Sequence, residues 1–168
     1  LILIDGFQPE GVTRIVQDSV FMIPHLGILS TVHPQASKEI FEKDCLVRLG
    51  TCIAPRGPSS TENVIRLKVQ FSNGDVIEEN ATYGAIKKIP LRLGEQAHVN
   101  ISPARNFDVG MGPGHTLSTE VEGGVVGIII DTRGRPLSLP EDDREQAKKM
   151  LEWFRALDAY PEQIYSLQ

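Results

Sequence analysis

Two stretches hold residues whose types and spacing could bind or position a charged group. The first, "DVGMGPGHT", brings Asp108, Gly110, Gly112, Gly114 and His115 into one glycine-dense loop. Glycines let neighbouring backbone N–H groups converge on an anion, so the loop is a candidate ligand cradle. It lacks the GxxxxGK[ST] pattern of a nucleotide phosphate loop, and a strand rather than a helix follows it, so a structural glycine turn is the preferred reading. The second stretch, "DTRGRP", sets Arg133 and Arg135 just beyond an apolar run. Two guanidinium forks on a tight turn can hold a carboxylate or a phosphate. They can equally pair with Asp131, Asp142 or Asp143 and pin the turn to the helix expected after it, which is again the preferred reading.

Lys87 and Lys88 raise a third possibility, because "TYGAIKKIPLRLGEQAHVNISP" has the turn glycine and apolar alternation of small β-barrels that carry biotin or lipoate. In those domains the modified lysine sits at a hairpin tip beside Met or Asp. Here the lysines fall inside a strand, and neither "MKM" nor "DKA" occurs. They are expected to be unmodified and solvent-facing. Asp5 and Asp18 stand where strand ends could present carboxylates, but no partner completes an acid/base pair. Ser30 and Ser37 are outside any GxSxG. Cys45 and Cys52 are expected to be buried free thiols, and His25, His33, His98 and His115 are too scattered to close a zinc site, so neither metal nor cofactor is expected.

The elements that must position these residues divide the chain of 168 residues into three parts. Residues 1–43 open with an apolar run, "LILI", that reads as a buried strand. A segment readable as strand or short helix follows over 12–21, then two short helices separated at His33-Pro34, where proline disfavours helix in the residue before it. Residues 44–139 read as β structure. "VIRLKVQF" alternates apolar and polar residues, "SNGD" is a hairpin turn, and "VIEENATYG", "IKKIPLRLG" and "QAHVNISP" continue the sheet; "GGVVGIIID" is a further, near-continuous apolar strand. Residues 140–168 hold a helix opened by Pro140, Glu141, Asp142 and Asp143, with an apolar stripe of Ala147, Met150, Leu151, Phe154 and Leu157 and Trp153 at its edge.

Charge and hydropathy exclude two partner classes. The formal net charge is −5 with both signs interspersed, so there is no basic stripe for nucleic acid. No apolar run approaches the roughly 20 residues that span a bilayer, and the first residues lack a signal-peptide pattern, so a cytoplasmic chain is expected.

Four stretches together resemble one family: "LIDGFQPEGVTRIVQDSVFMIPHLGILSTVHP", "GTCIAPRG", "FDVGMGPG" and "EGGVVGIIIDTRGRPLSLP". They are similar to the C-terminal part of the glutamate mutase accessory protein, an ATPase-like protein of the superfold shared by acetate kinase, sugar kinases and actin, encoded beside a cobalamin-dependent mutase. The resemblance runs from Leu3 to about Leu157. It implies that residues 1–4 correspond to a late strand of the ATPase fold and residues 24–30 to its closing helix. The nucleotide-binding motifs of that superfold have no counterpart here, which is expected of a C-terminal fragment. The expected fold is therefore α+β and mainly β: a barrel-sandwich-like β domain with a C-terminal helix, preceded by a remnant of an ATPase-like fold. The expected function is a non-catalytic module that docks such an accessory protein onto a protein partner, a cobalamin-dependent mutase or a second copy of itself. The rival is a small-molecule or anion-binding domain using residues 108–115.

Overall fold

A computed structural model describes residues 1–60 and 62–160. Alternation of branched apolar residues builds most of it. In β3 (Asn63–Phe71), Ile65, Leu67 and Val69 are buried while Arg66, Lys68 and Gln70 face solvent. The turn expected at "SNGD" closes β3 against β4 (Val76–Thr82), with Gly74 at φ 93° and the Asp75 N–H donating to Asn73 Oδ1 at 3.0 Å. β6 (Gln96–Pro103) and β7 (Leu117–Glu122) complete an antiparallel sheet in the order β4-β3-β6-β7.

The second sheet has the order β1-β2-β8-β5, from β1 (Gly11–Asp18), β2 (Leu46–Ala54), β8 (Gly127–Asp131) and β5 (Ile86–Ile89). The two sheets face one another across a common core in which Ile53, Ile128 and Ile130 meet Leu67, Val99 and Ile101. The fold is thus α+β, mainly strands in two sheets with a C-terminal helix. Residues from both sides of the expected boundary at 43 and 44 share one sheet, because β1 pairs with β2 along its length. Segment 86–89, expected to continue the first sheet, crosses to the second instead. The chain changes sheets at a turn with Gly84 at φ 83°, a conformation glycine adopts freely.

β2 and β8 run parallel, which places Gly50 beside Gly127. A Cβ on Gly50 would collide with the Gly127 carbonyl oxygen, so this approach requires the glycine. The single irregularity in the β1–β2 ladder is an extra residue, Leu49, on β2: Ile15 faces Gly50 and Val16 faces Arg48. β1 itself carries no insertion.

The helices lie outside the sandwich: α1 (Ile2–Phe7), α2 (Ile23–Ser30), α3 (Pro34–Ile40) and α4 (Asp143–Ala156), with a π-helical turn at Phe41–Cys45 joining α3 to β2. α1 overturns the expectation of a strand at residues 1–4. An apolar run this short fits either element. Among the described residues it pairs with no strand, and Ile4 instead packs into a second core with Cys52, Ala54, Ile86, Ile129 and Trp153. α4 begins as expected: the Asp142 side chain caps it by accepting from the Glu145 N–H at 2.9 Å. Its buried residue is Trp153. Leu151, Phe154 and Leu157 are half-buried, and Ala147 and Met150 are exposed. The core-facing stripe is therefore rotated toward Trp153, whose indole N–H finds the Gly84 carbonyl at 2.9 Å. The tail expected beyond the helix, residues 161–168, lies outside the described residues.

Candidate functional site

β8 ends by delivering Asp131 to the second core, where its side chain is fully buried. A lone buried carboxylate is costly, and the next turn supplies its partners. Arg133 donates Nε to Oδ1 at 2.9 Å and Nη2 to Oδ2 at 2.8 Å; Arg135 donates Nη2 to Oδ2 at 2.8 Å. Burial pushes the Asp131 carboxyl up, but the two guanidiniums outweigh it and hold the group below its ordinary value. Thr132 fixes the turn by donating its hydroxyl to the Thr82 and Ala85 carbonyls at 2.6 and 2.9 Å.

The arginines then reach beyond their own turn. Arg133 Nη2 also meets Asp5 Oδ1 of α1 at 2.6 Å, and its guanidinium lies over the Trp153 ring of α4, 4.8 Å from the centroid. Among the described residues Arg133 Nη1 has no hydrogen-bond partner, and the guanidinium as a whole is attracted to the indole face. Arg135 Nε donates to the Pro9 carbonyl at 2.9 Å, and the Leu137 N–H to Gln8 Oε1 at 2.8 Å. The expected pairing with Asp131 is present. The turn is tied to α1 by Asp5 and to α4 by Trp153, whereas Asp142 and Asp143 take no part.

Between α1, the end of α4 and the second sheet lies an apolar cleft of about 440 Å³, walled by Ile4 of α1, Phe154 of α4 and its capping Leu157, and Ile15, Cys52 and Ile129 of the sheet. Cys52 adds no nucleophile. Burial first, and then the nearby Asp131 charge, push its thiol up to about 12, so it stays protonated.

The glycine loop spends its donors on itself. Asp108 Oδ1 accepts from the Gly110 and Gly112 N–H groups at 2.7 and 2.8 Å, the Gly114 N–H donates to the Phe107 carbonyl at 2.8 Å, and that of His115 to Gly112 at 3.2 Å. The Gly110 N–H is the leading cause that lowers the Asp108 carboxyl below its ordinary value. The position an incoming anion would take in the cradle is thus held by the chain's own carboxylate. Among the described residues no hydrogen bond or ion pair joins the loop to Arg133 or Arg135. Both adjoin segment 9–11: Arg135 at Pro9, and Val109 close to Gly11.

The two lysines are less exposed than expected. Lys87 Nζ bonds Glu79 at 2.8 Å and the Asn80 carbonyl at 2.7 Å; Lys88 Nζ bonds Asp158 at 2.7 Å and the Leu157 carbonyl at 3.2 Å. They tie β5 to β4 and to the end of α4.

A third feature is the arm formed by α2 and α3 between β1 and β2, the two short helices expected on either side of His33-Pro34. Asp18 anchors it, its carboxylate accepting from the Ile23 N–H at 2.9 Å and the Val20 N–H at 3.2 Å, and Ser37 Oγ, donating to the Leu26 carbonyl at 2.7 Å, joins its two helices. Leu26 is the buried residue of α2, while Phe21, Ile23, Ile28 and Val32 are 75%, 54%, 72% and 69% exposed. Ile2 and Phe7 of α1 are also exposed. The apolar residues of "IPHLGILS" surround the helix rather than forming one stripe, so burying Leu26 leaves the others outside. Comparison with protein-family models, with curated proteins and with solved structures finds no match for this chain.

Proposed function

We propose that the chain is a non-catalytic interaction module whose task is to dock an accessory protein onto a partner. One observation carries this reading: large apolar side chains cluster in exposed positions on the arm at residues 21–32, with further ones on α1. Contiguous exposed apolar surface beyond a few hundred Å² is uncommon on a monomer and marks interfaces. The non-catalytic half is supported by the state of the polar groups. Asp131, Arg133 and Arg135 are consumed by one another, Asp108 by its own loop, and Cys52 by burial. On the family resemblance, the module would belong to an ATPase-like accessory protein working in the cytoplasm, with a cobalamin-dependent mutase as partner.

The test is calorimetric titration of the chain into a purified cobalamin-dependent mutase, with wild type and F21S/I28S compared. Both substituted side chains are exposed, so the fold should survive. Binding weakened at least about tenfold by the double substitution is the expected result. Equal binding by both forms would remove the arm from the interface, and micromolar binding of Mg-ATP to the chain alone would overturn the non-catalytic reading.

A further inference from the structure

β1 is an edge strand. It pairs with β2 on one side, and among the described residues no strand pairs with the other. Exposed edges offer a row of free N–H and C=O groups, and proteins ordinarily blunt them with a bulge, a proline or a central charge. β1 has neither a proline nor an extra residue of its own, and its one charge near the middle, Arg14, is turned to Glu122. The ladder's extra residue is on β2, no proline interrupts residues 11–18, and Val16 lies in the C-terminal half of the strand.

The sequence around Val16 is self-complementary when read in opposite directions. Placing two copies antiparallel about Val16 sets Val16 against Val16, Ile15 against Gln17, and Arg14 against Asp18, all within the strand. The charged pair matches by sign and occurs twice by symmetry. Cross-strand pairs of opposite charge or of β-branched residues stabilise a sheet by roughly 0.2–1 kcal/mol each.

Both charged groups retain the capacity for such a pair. Arg14 uses one guanidinium nitrogen on Glu122, at 2.8 Å, and its side chain is 56% exposed. Asp18 accepts two N–H bonds, and a carboxylate has room for about four. Val16, at the centre of the match, is exposed.

We propose that β1 is a homodimerisation edge, pairing with β1 of a second copy about a two-fold axis through Val16 and joining the two four-stranded sheets end to end. The proposal rests on the reading of the chain as an interaction module and names one partner, a second copy. The axis stands perpendicular to the sheet, so the two clefts beside Ile15 open on the same face of the joined sheet.

Sedimentation over a concentration series gives the first measurement, on wild type and Val16→Lys. A dimer is expected for wild type, with its dissociation constant raised at least about tenfold in Val16→Lys, where two ammonium groups meet on the axis. The second measurement is mild oxidation of Val16→Cys and of Gln17→Cys. Opposed residues in an antiparallel pair stand about 4.5–5.5 Å apart at Cα, within disulfide range, so Val16→Cys should cross-link to itself. Gln17→Cys, off the axis, should not. Cys45 and Cys52 are buried and should stay silent in both.

A wild type that is monomeric at every concentration overturns the proposal. So does a dimer that tolerates Val16→Lys while Val16→Cys fails to cross-link, because the copies then meet elsewhere. Either outcome leaves the docking role of the arm standing, since mutase binding by Val16→Lys can be measured independently.

Discussion

Replacing Arg133 with methionine should cost the protein about 3–5 kcal/mol. Methionine keeps most of the buried volume but removes the charge. Asp131 then loses two guanidinium bonds, at 2.9 and 2.8 Å, and keeps one from Arg135 and one from the Arg133 backbone N–H at 3.1 Å. Removing one partner of a buried ion pair costs about 3–5 kcal/mol, and the surviving bonds place this loss near the lower end. The stacking on Trp153 adds about 0.5–2 kcal/mol. The link to Asp5 adds little, because that carboxylate is 41% exposed and its pair is screened. Urea denaturation followed by the fluorescence of the single tryptophan reads both stability and the local packing, since Trp153 touches the substituted group. The double variant D131N/R133M is the control: neutralising the orphaned carboxylate should return at least half of the loss. A cost below about 1 kcal/mol in R133M, or strict additivity in the double variant, would refute the clasp as an energetic unit.

Other outcomes follow from the same geometry. Trp153→Ala should cost about 3–5 kcal/mol and Phe154→Ala roughly 1–2 kcal/mol, because only the tryptophan is fully covered; urea midpoints in the reverse order would show that α4 packs through its other face. The Asp131 carboxyl titrates lower in the folded chain than in the unfolded one, where it is near 3.9, so its stabilisation is complete above that value and drains away as pH falls through the lower folded value. Stability against pH should therefore fall steeply below about pH 4, and Asp131→Asn should flatten that limb. Intact mass of native protein should show no biotinyl or lipoyl adduct, and K87R/K88R should leave the urea midpoint within about 1 kcal/mol of wild type, since arginine can keep both ion pairs.

What the sequence disclosed depended on how far apart the relevant residues lie. Alternation within "VIRLKVQF" and the asparagine-glycine turn are local, and they specified the β3–β4 hairpin almost completely. The pairing of Asp131 with Arg133 and Arg135 was legible for the same reason. Asp5 joins that cluster from the other end of the chain, and no local pattern announces it. The apolar opening was misread because four consecutive apolar residues carry no period: the choice of helix was made by the second core that receives Ile4. β5 was placed in the wrong sheet because alternation shows that a strand has two faces without showing which neighbours it will have. The helix α4 was found with its cap, but its stripe was centred on Phe154, since spacing by threes and fours does not reveal that the indole would reach the Gly84 carbonyl.

The parallel pairing of β2 with β8 also sets an order of assembly. All four strands of the antiparallel sheet, β3 to β7 without β5, lie in the chain between these two partners. Hairpin contacts within that inserted sheet close short loops and can form early. The ladder joining Gly50 to Gly127 must close a loop containing all of it, and distant pairings of this kind are slow because their entropy is lost before the contacts form. The inserted sheet should therefore gain hydrogen-exchange protection first, and the β2–β8 ladder, with the clasp that β8 delivers, should be the last step to lock. During that interval the edges of β2 and β8 are bare, which makes the interval, rather than the finished fold, the time of greatest exposure to misassembly.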